Sequence, residues 1–217
     1  MVTLYLIRHA ESMGNVEEYF QGSLDVDISP KGLRQLESLK RRFKSVPLDA
    51  IYTSPLIRAV KTAEVVGYNK RLQLTRVPQI QEIYAGEFQG KSWSELPILF
   101  PKEYYDWKHN QEEFKAPNGE SMKDVYDRMV SAMNDILSKS SQKTIAVVSH
   151  GCAIRNYQCY LKGLPLSRMY ELGWADNTSV SKVVFNDSLT PTIEYLNDSS
   201  HLSVEDSTLK YSQWCKK

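Results

Sequence analysis

The chain is poor in the features that mark several large classes of protein. Its 217 residues include only three cysteines, Cys152, Cys159 and Cys215, an odd number with no Cys-x-x-Cys spacing. That excludes a disulfide framework and the usual structural zinc sites, and reduced thiols are expected. No apolar run approaches the ~18–20 residues of a membrane helix, and the N-terminal stretch reaches Arg8 and His9 too soon for a secretory segment. Charge of one sign is lacking too. With 27 Lys and Arg against 26 Asp and Glu, the formal net charge is +1, so no overall field draws nucleic acid or an anionic membrane to the chain. The expected compartment is the cytoplasm, and any anion site must be local. Three Asn-x-Ser sequons, at Asn177, Asn186 and Asn197, read as chance in a Ser/Asn-rich stretch.

What is present is an ordinary globular composition. Apolar residues make up 41% of the chain and charged residues 24%, and the length fits one domain of roughly 100–200 residues carrying an insertion. Thr3 to Ile7 is an apolar run opening into a polar loop, a buried strand with His9 at its C-terminal end. Ser29-Pro30 starts a helix in which Leu33, Leu36, Leu39 and Phe43 recur at helical spacing through Lys44. Asp49 to Thr53 reads as a second strand, Ser54-Pro55 as the start of a helix to about Val66, and Leu72 to Val77 as a third strand. Residues 83–119, aromatic and broken by Gly and Pro, read as an inserted cap before a helix from about Ser121 to Ser138. Thr144 to Val148 is a β-branched strand ending at Ser149-His150-Gly151, and Ile154 to Leu161 is a helix ending near Gly163. Val180 to Phe185 and Thr192 to Leu196 look like a final antiparallel pair at the sheet edge. This alternation predicts an α/β protein, a three-layer α/β/α sandwich with a mostly parallel mixed sheet and a small inserted cap. Residues 1–217 are expected to form a single domain with its ligand outside the carboxyl ends of the strands.

Two of the four histidines, His9 and His150, therefore end strands beside polar loops and could share one crevice. A lone histidine in such a loop is more often structural, but Arg8 precedes one of them and Arg58 opens another helix. Two guanidinium forks and two imidazoles suit a doubly charged tetrahedral anion, and phosphate is the obvious candidate. A neutral imidazole, with an ordinary pKa of ~6.5, is a competent nucleophile near pH 7. The leaving alkoxide then needs a proton, and Glu82, on the loop after the third strand, is the best-placed acid. Alone it would read as a solvated surface carboxylate.

Leu6-Ile7-Arg8-His9-Ala10-Glu11-Ser12-Met13-Gly14-Asn15 resembles the signature of the histidine phosphatase superfamily, the phosphoglycerate mutase-like proteins. Three further segments resemble the family in order: Gln21-Gly22-Ser23-Leu24-Asp25, Tyr52-Thr53-Ser54-Pro55-Leu56-Ile57-Arg58-Ala59 and Val148-Ser149-His150-Gly151. The resemblance runs from residue 3 to about 185. It implies that His9 is the phosphorylated nucleophile, that Arg8, Arg58 and His150 form the phosphate pocket, and that Glu82 is the proton donor. Asn15, Gln21, Gly22 and Gly151 fall where family members line that pocket, and His201 resembles a C-terminal histidine that approaches substrate in several small-molecule phosphatases. No metal and no organic cofactor is implied. Ala10 departs from the usual glycine, and a Cβ there would be costly if the backbone needed a positive φ. The acid loop, Glu82-Ile83-Tyr84-Ala85-Gly86, looks more like the phosphatase branch than the mutases.

Other readings are weaker. His9-Ala10-Glu11 matches the His-x-Glu of zinc deaminases, but their Pro-Cys-x-x-Cys is absent. No Gly-x-Ser-x-Gly elbow supports a serine hydrolase at Ser149 or Ser54. Lys40-Arg41-Arg42 and Lys44 read as a solvated helix face. The cap's Tyr104, Tyr105, Trp107, Lys108 and His109 could set selectivity, although such a stripe is more often core. The expectation is a cofactor-independent phosphatase acting on a small phosphate ester, not on nucleic acid or at a membrane. A phosphoglycerate mutase is the alternative, and a non-catalytic phosphoryl-binding protein of the same fold the second.

Overall fold

The computed structural model describes residues 1–209, so Cys215 lies outside the described residues. In chain order the elements are β1 (Val2–Arg8), α1 (Met13–Val16), α2 (Pro30–Phe43), β2 (Ala50–Thr53), α3 (Ile57–Val66), β3 (Leu74–Arg76), α4 (Leu96–Leu99), α5 (Pro101–His109), α6 (Met122–Ser138), β4 (Thr144–Ser149), α7 (Gly151–Lys162), β5 (Val180–Phe185) and β6 (Pro191–Asp198). The sheet order is β3-β2-β4-β1-β5-β6. The first four strands pair in parallel, and β5 runs antiparallel to both β1 and β6.

Alternate residues of the central strands face opposite sides, as a strand's period of two requires. Leu4, Leu6, Ile145 and Val147 join one apolar cluster with α6, α7 and the cap; Ile7, Ala146 and Val148 join another with Leu39 and Phe43 of α2 and Ala59, Ala63 and Val66 of α3. Helices thus cover both faces, giving the three expected layers. The cap adds to the first cluster, since Ile83, Ala85, Phe88, Leu96, Trp107 and Phe114 all belong to it.

Some boundaries differ from expectation for local reasons. Leu33 is exposed, because the buried stripe of α2 runs through Gly32, Gln35, Leu36, Leu39 and Phe43 and leaves position 33 to one side. Helix α3 begins at Ile57 rather than at Ser54-Pro55: the Ser54 hydroxyl accepts from the Leu56 amide, and the Ile57 amide donates to Asp25 Oδ1 at 2.7 Å. Helix α7 starts three residues earlier than expected, at Gly151 directly after the extended residue His150, and stops at Gly163 with φ +63. Ala10 is absent from the positive-φ residues and is fully buried, so its Cβ carries no backbone strain.

Gly32 sets how closely α2 approaches the loop that follows β1. A Cβ there would collide with the Glu11 carbonyl oxygen and meet Ile28 Cγ2 at 2.7 Å. We expect Gly32→Ala to cost about 1–3 kcal/mol of stability, lowering Tm by about 2–4 °C for each kcal/mol in a chain of this size. Thermal unfolding measures it, and an unchanged Tm would show that α2 is free to shift away.

Candidate active site

Parallel pairing of β1 with β4 places Arg8 opposite Ser149, and the His9 amide extends the ladder by donating to the Ser149 carbonyl at 2.9 Å. The histidine that ends each strand therefore emerges beside the other, with ring centroids 5.0 Å apart. Strand β2 ends alongside, where the Ser54 amide donates to the Val148 carbonyl at 3.0 Å and the Ser54 hydroxyl lies 2.7 Å from His150 Nε2.

The tautomer of His9 follows from its partner. Its Nδ1 is 2.7 Å from the Ala10 carbonyl, which can only accept, so Nδ1 carries the proton and Nε2 holds the lone pair. Burial, then Arg58 and Arg8 beside it, holds this imidazole well below its ordinary 6.5. His150 is shifted the same way, by burial first and then by Arg58 and His9. His150 is fully buried, and its Nδ1 has no hydrogen-bond partner among the described residues.

Arg58, at 1% exposure, donates from its two terminal nitrogens to the Leu24 carbonyl (2.7 Å) and the Gly22 carbonyl (2.8 Å). Burial pushes its pKa down to about 10, opposed by Glu82 and Asp25, so it stays charged at neutral pH. Gly22 can supply its carbonyl because the backbone turns there with φ +50; a Cβ would meet Gln89 Oε1 at 2.5 Å and the Ile83 carbonyl at 2.8 Å. Arg8 donates to the Ala175 carbonyl.

Glu82 sits at the N-terminus of α7. Its Oε1 accepts from the Ile83 and Ala153 amides at 2.9 and 3.2 Å, and its Oε2 from the Cys152 amide at 3.1 Å. Of the other residues singled out in the sequence, Asn15, Gln21, Gly22 and Gly151 line the same cleft as Arg8, His9, Arg58 and Glu82. His150 is packed behind His9 rather than on the cleft wall. His201 is not brought to the cleft: its ring nitrogens lie 3.0 Å from Arg42 Nη1 and 3.2 Å from Thr178 Oγ1. Among the cap residues Tyr104, Tyr105, Trp107, Lys108 and His109, only Trp107 reaches the wall.

The profile of the Histidine phosphatase superfamily (branch 1) matches residues 4–199. The chain belongs to that superfamily. Among curated proteins, it is 33% identical to phosphoserine phosphatase 1 of Hydrogenobacter thermophilus over 93% of this chain and 95% of that one. It is 31% identical to phosphoglycerate mutase-like protein 4 of Arabidopsis thaliana, over 92% of this chain and 86% of the other. Among solved structures, Bacillus stearothermophilus YhfR superimposes with a TM-score of 0.90 at 28% identity, covering 94% of this chain and all of that one. The superfamily match and the phosphoserine phosphatases among its relatives support phosphoric monoester hydrolase activity. Among the described residues, no helix is long and apolar enough to cross a membrane, and no three His, Cys, Asp or Glu side chains group as metal ligands.

Several supports of the site escaped the sequence. Arg128 of α6 donates to the carbonyls of Gln79 (2.7 Å) and Gln81 (2.8 Å), and pairs with both oxygens of Glu120 at 2.7 and 3.0 Å. Glu120 in turn accepts from the Tyr84 amide at 2.8 Å, so this pair grips the chain on both sides of Glu82. Behind His9, Asn177 Nδ2 donates to the His9 carbonyl at 2.9 Å. The Thr178 amide reaches the Arg8 and His9 carbonyls at 3.1 and 3.3 Å, with Thr178 at φ +60, a strained value for a β-branched residue. Trp93 and Trp174 also line the cleft. The only sequence signal at any of these positions was a sequon at Asn177.

The depressed histidines have a measurable consequence. In phosphate-free buffer, NMR titration of the His9 and His150 ring protons is expected to show midpoints well below 6.5. The unfolded chain takes up these protons from about pH 6.5 downward while the folded chain does not, so stability falls on acidification through that range and is unaffected above it. A His9 midpoint at or above 6.5 would mean that the neutral form is not the resting state.

Proposed function

We propose that the protein is a cofactor-independent phosphomonoesterase for a small phosphate ester, working through a phosphohistidine on His9 with Glu82 as proton donor. The observation that carries this reading is the buried His9 imidazole, whose Nδ1–H is committed to the Ala10 carbonyl while the guanidiniums of Arg8 and Arg58 stand beside it. An ester dianion entering this cleft meets those two cations, and the His150 Nδ1 offers a further buried polar atom in contact with His9.

In the first step the His9 Nε2 lone pair attacks phosphorus, an N–P bond forms, and the P–O bond to the alcohol breaks. The alkoxide takes its proton from the Glu82 carboxyl. In the second step the Glu82 carboxylate takes a proton from water as the water oxygen attacks phosphorus. The N–P bond breaks, and inorganic phosphate leaves with His9 and Glu82 restored. Arg58 stabilises the transferring group in both steps, with its direction fixed by the Leu24 and Gly22 carbonyls. The relatives named phosphoserine phosphatase support hydrolysis.

Phosphate release from a panel of small phosphomonoesters in excess EDTA tests the reading, with 3-phosphoglycerate isomerisation followed in parallel. Wild type should release phosphate, and His9→Ala should lose at least about 10³-fold in kcat. Arg58→Ala should lose about 10²-fold or more. Quenched-flow labelling with a ³²P ester should give an acid-labile, alkali-stable phosphoprotein that is absent from His9→Ala. Isomerisation without phosphate release would move the chain to the mutases, and silence in both assays from folded protein would leave a binding role.

A further inference from the structure

Ser54 follows β2 inside the fold, fully buried and away from the cleft wall. Its amide donates to the Val148 carbonyl at 3.0 Å, which ties it to the strand that ends beside His150. Among the described residues its Oγ meets two partners, the Leu56 amide at 3.3 Å and His150 Nε2 at 2.7 Å. A serine shut away from the cleft is not a nucleophile, so the pair with His150 must do something else.

We infer that Ser54 is a positioning residue for the transfer: its hydroxyl donates to His150 Nε2 and fixes the ring as the Nδ1–H tautomer, so that an uncharged imidazole presents a donor to the phosphoryl group. The inference rests on the phosphatase reading and adds a residue that acts through His150. It follows from counting protons. An amide can only donate, so among the described residues the Ser54 hydroxyl proton has one acceptor, the Nε2 lone pair. With the proton on Nε2 instead, the buried hydroxyl would keep a proton that no acceptor meets. The ring would also turn a bare lone pair outward at Nδ1, an atom that is buried and has no partner among the described residues. Leaving buried polar atoms unmet is costly.

The two imidazoles then have opposite duties. His9 commits its Nδ1–H to the Ala10 carbonyl and keeps the Nε2 lone pair for attack. His150 commits its Nε2 lone pair to Ser54 and keeps Nδ1–H for a phosphoryl oxygen. Burial, then Arg58 and His9, holds His150 uncharged, so whether the ring attracts or repels an anion is decided by which nitrogen carries the proton.

Long-range ¹H–¹⁵N NMR on the full chain with labelled histidine reads the tautomer at neutral pH. We expect a pyrrole-type shift for His150 Nδ1 and a pyridine-type shift for Nε2 in the wild type, and loss of that pattern in Ser54→Ala. With the panel of small phosphomonoesters in EDTA, Ser54→Ala should lose about tenfold or more in kcat while KM changes less, and Ser54→Thr should recover most of the loss. In a His150→Ala background the same Ser54 substitution should lose nothing further. If Ser54→Ala does not fold, the wild-type spectrum decides alone.

A pyrrole-type shift at His150 Nε2, or the pattern of an imidazolium, would overturn the inference while leaving the phosphatase intact. So would a Ser54→Ala loss that persists in full without His150. Phosphate release from none of the esters would overturn the phosphatase reading, and with it the role of Ser54 in transfer, whichever tautomer the spectrum shows.

Discussion

A guanidinium buried to 1% exposure and held by two main-chain carbonyls, with no ion pair among the described residues, is the constraint on which the rest of the site depends. Burying an arginine without a carboxylate partner is tolerable only if its donors are met and its charge has a use. The Gly22 and Leu24 carbonyls meet two of Arg58's nitrogens. They can do so only because the chain turns at Gly22 with a positive φ, in a space that a Cβ would overfill. The charge, eased in part by Glu82 and Asp25, then acts on its surroundings: together with burial it lowers both imidazoles, and it favours an anion in the cleft. Burial and this charge thus act in one direction, favouring a neutral His9 and an anionic ligand beside it.

The fold and the centre of the site were legible in the sequence for different reasons. The strands carrying Ile145 to Val148 and Leu4 to Ile7 are buried on both faces, so they read as continuous apolar runs with a chemically distinctive residue at the end of each. Parallel pairing then brought His9 and His150 together without needing any long-range information in the pattern. Ser29-Pro30 announced α2, and Ser121 announced α6 with a reciprocal cap on Asp124. The exposed position of Leu33 was not legible, since both phases of a helical stripe contain apolar residues and only tertiary packing chooses between them. His201 was misjudged for a similar reason. A resemblance in the tail says nothing of its partners, and Arg42, far away in sequence, engages its ring.

What stayed hidden is the support for the proposed acid. Glu82 is gripped through its neighbours' main chain, by an arginine 47 residues from Gln81 and 49 from Gln79. Carbonyl acceptors are present at every residue, so no pattern of residue types marks where such a clamp will close. Its physical role is nevertheless specific. A proton donor must stay within hydrogen-bond reach of the leaving oxygen, and a displacement of one ångström can cost orders of magnitude in rate. Arg128 and Glu120 join α6 to the acid loop, while Ser149 Oγ donates to the Ile80 carbonyl at 2.7 Å and joins the same loop to the strand that carries His150. Acid and imidazole are thereby referred to one rigid element.

The same geometry bears on why water, rather than a second hydroxyl of the substrate, would complete the reaction. Hydrolysis and isomerisation share the proposed first step and diverge only in what stands over phospho-His9 once the alcohol is free. A mutase must hold the dephosphorylated intermediate long enough for it to turn, which requires polar contacts to the alcohol itself. The described wall carries Asn15, Tyr19 and Gln21 as well as Trp93 and Trp174, and its charged groups are Arg8, Arg58 and Glu82. An alcohol whose charged contacts all run through its phosphate loses part of its hold when the covalent link to phosphorus breaks. In the proposed hydrolysis it then leaves, and water reaches the carboxylate that served as its proton donor.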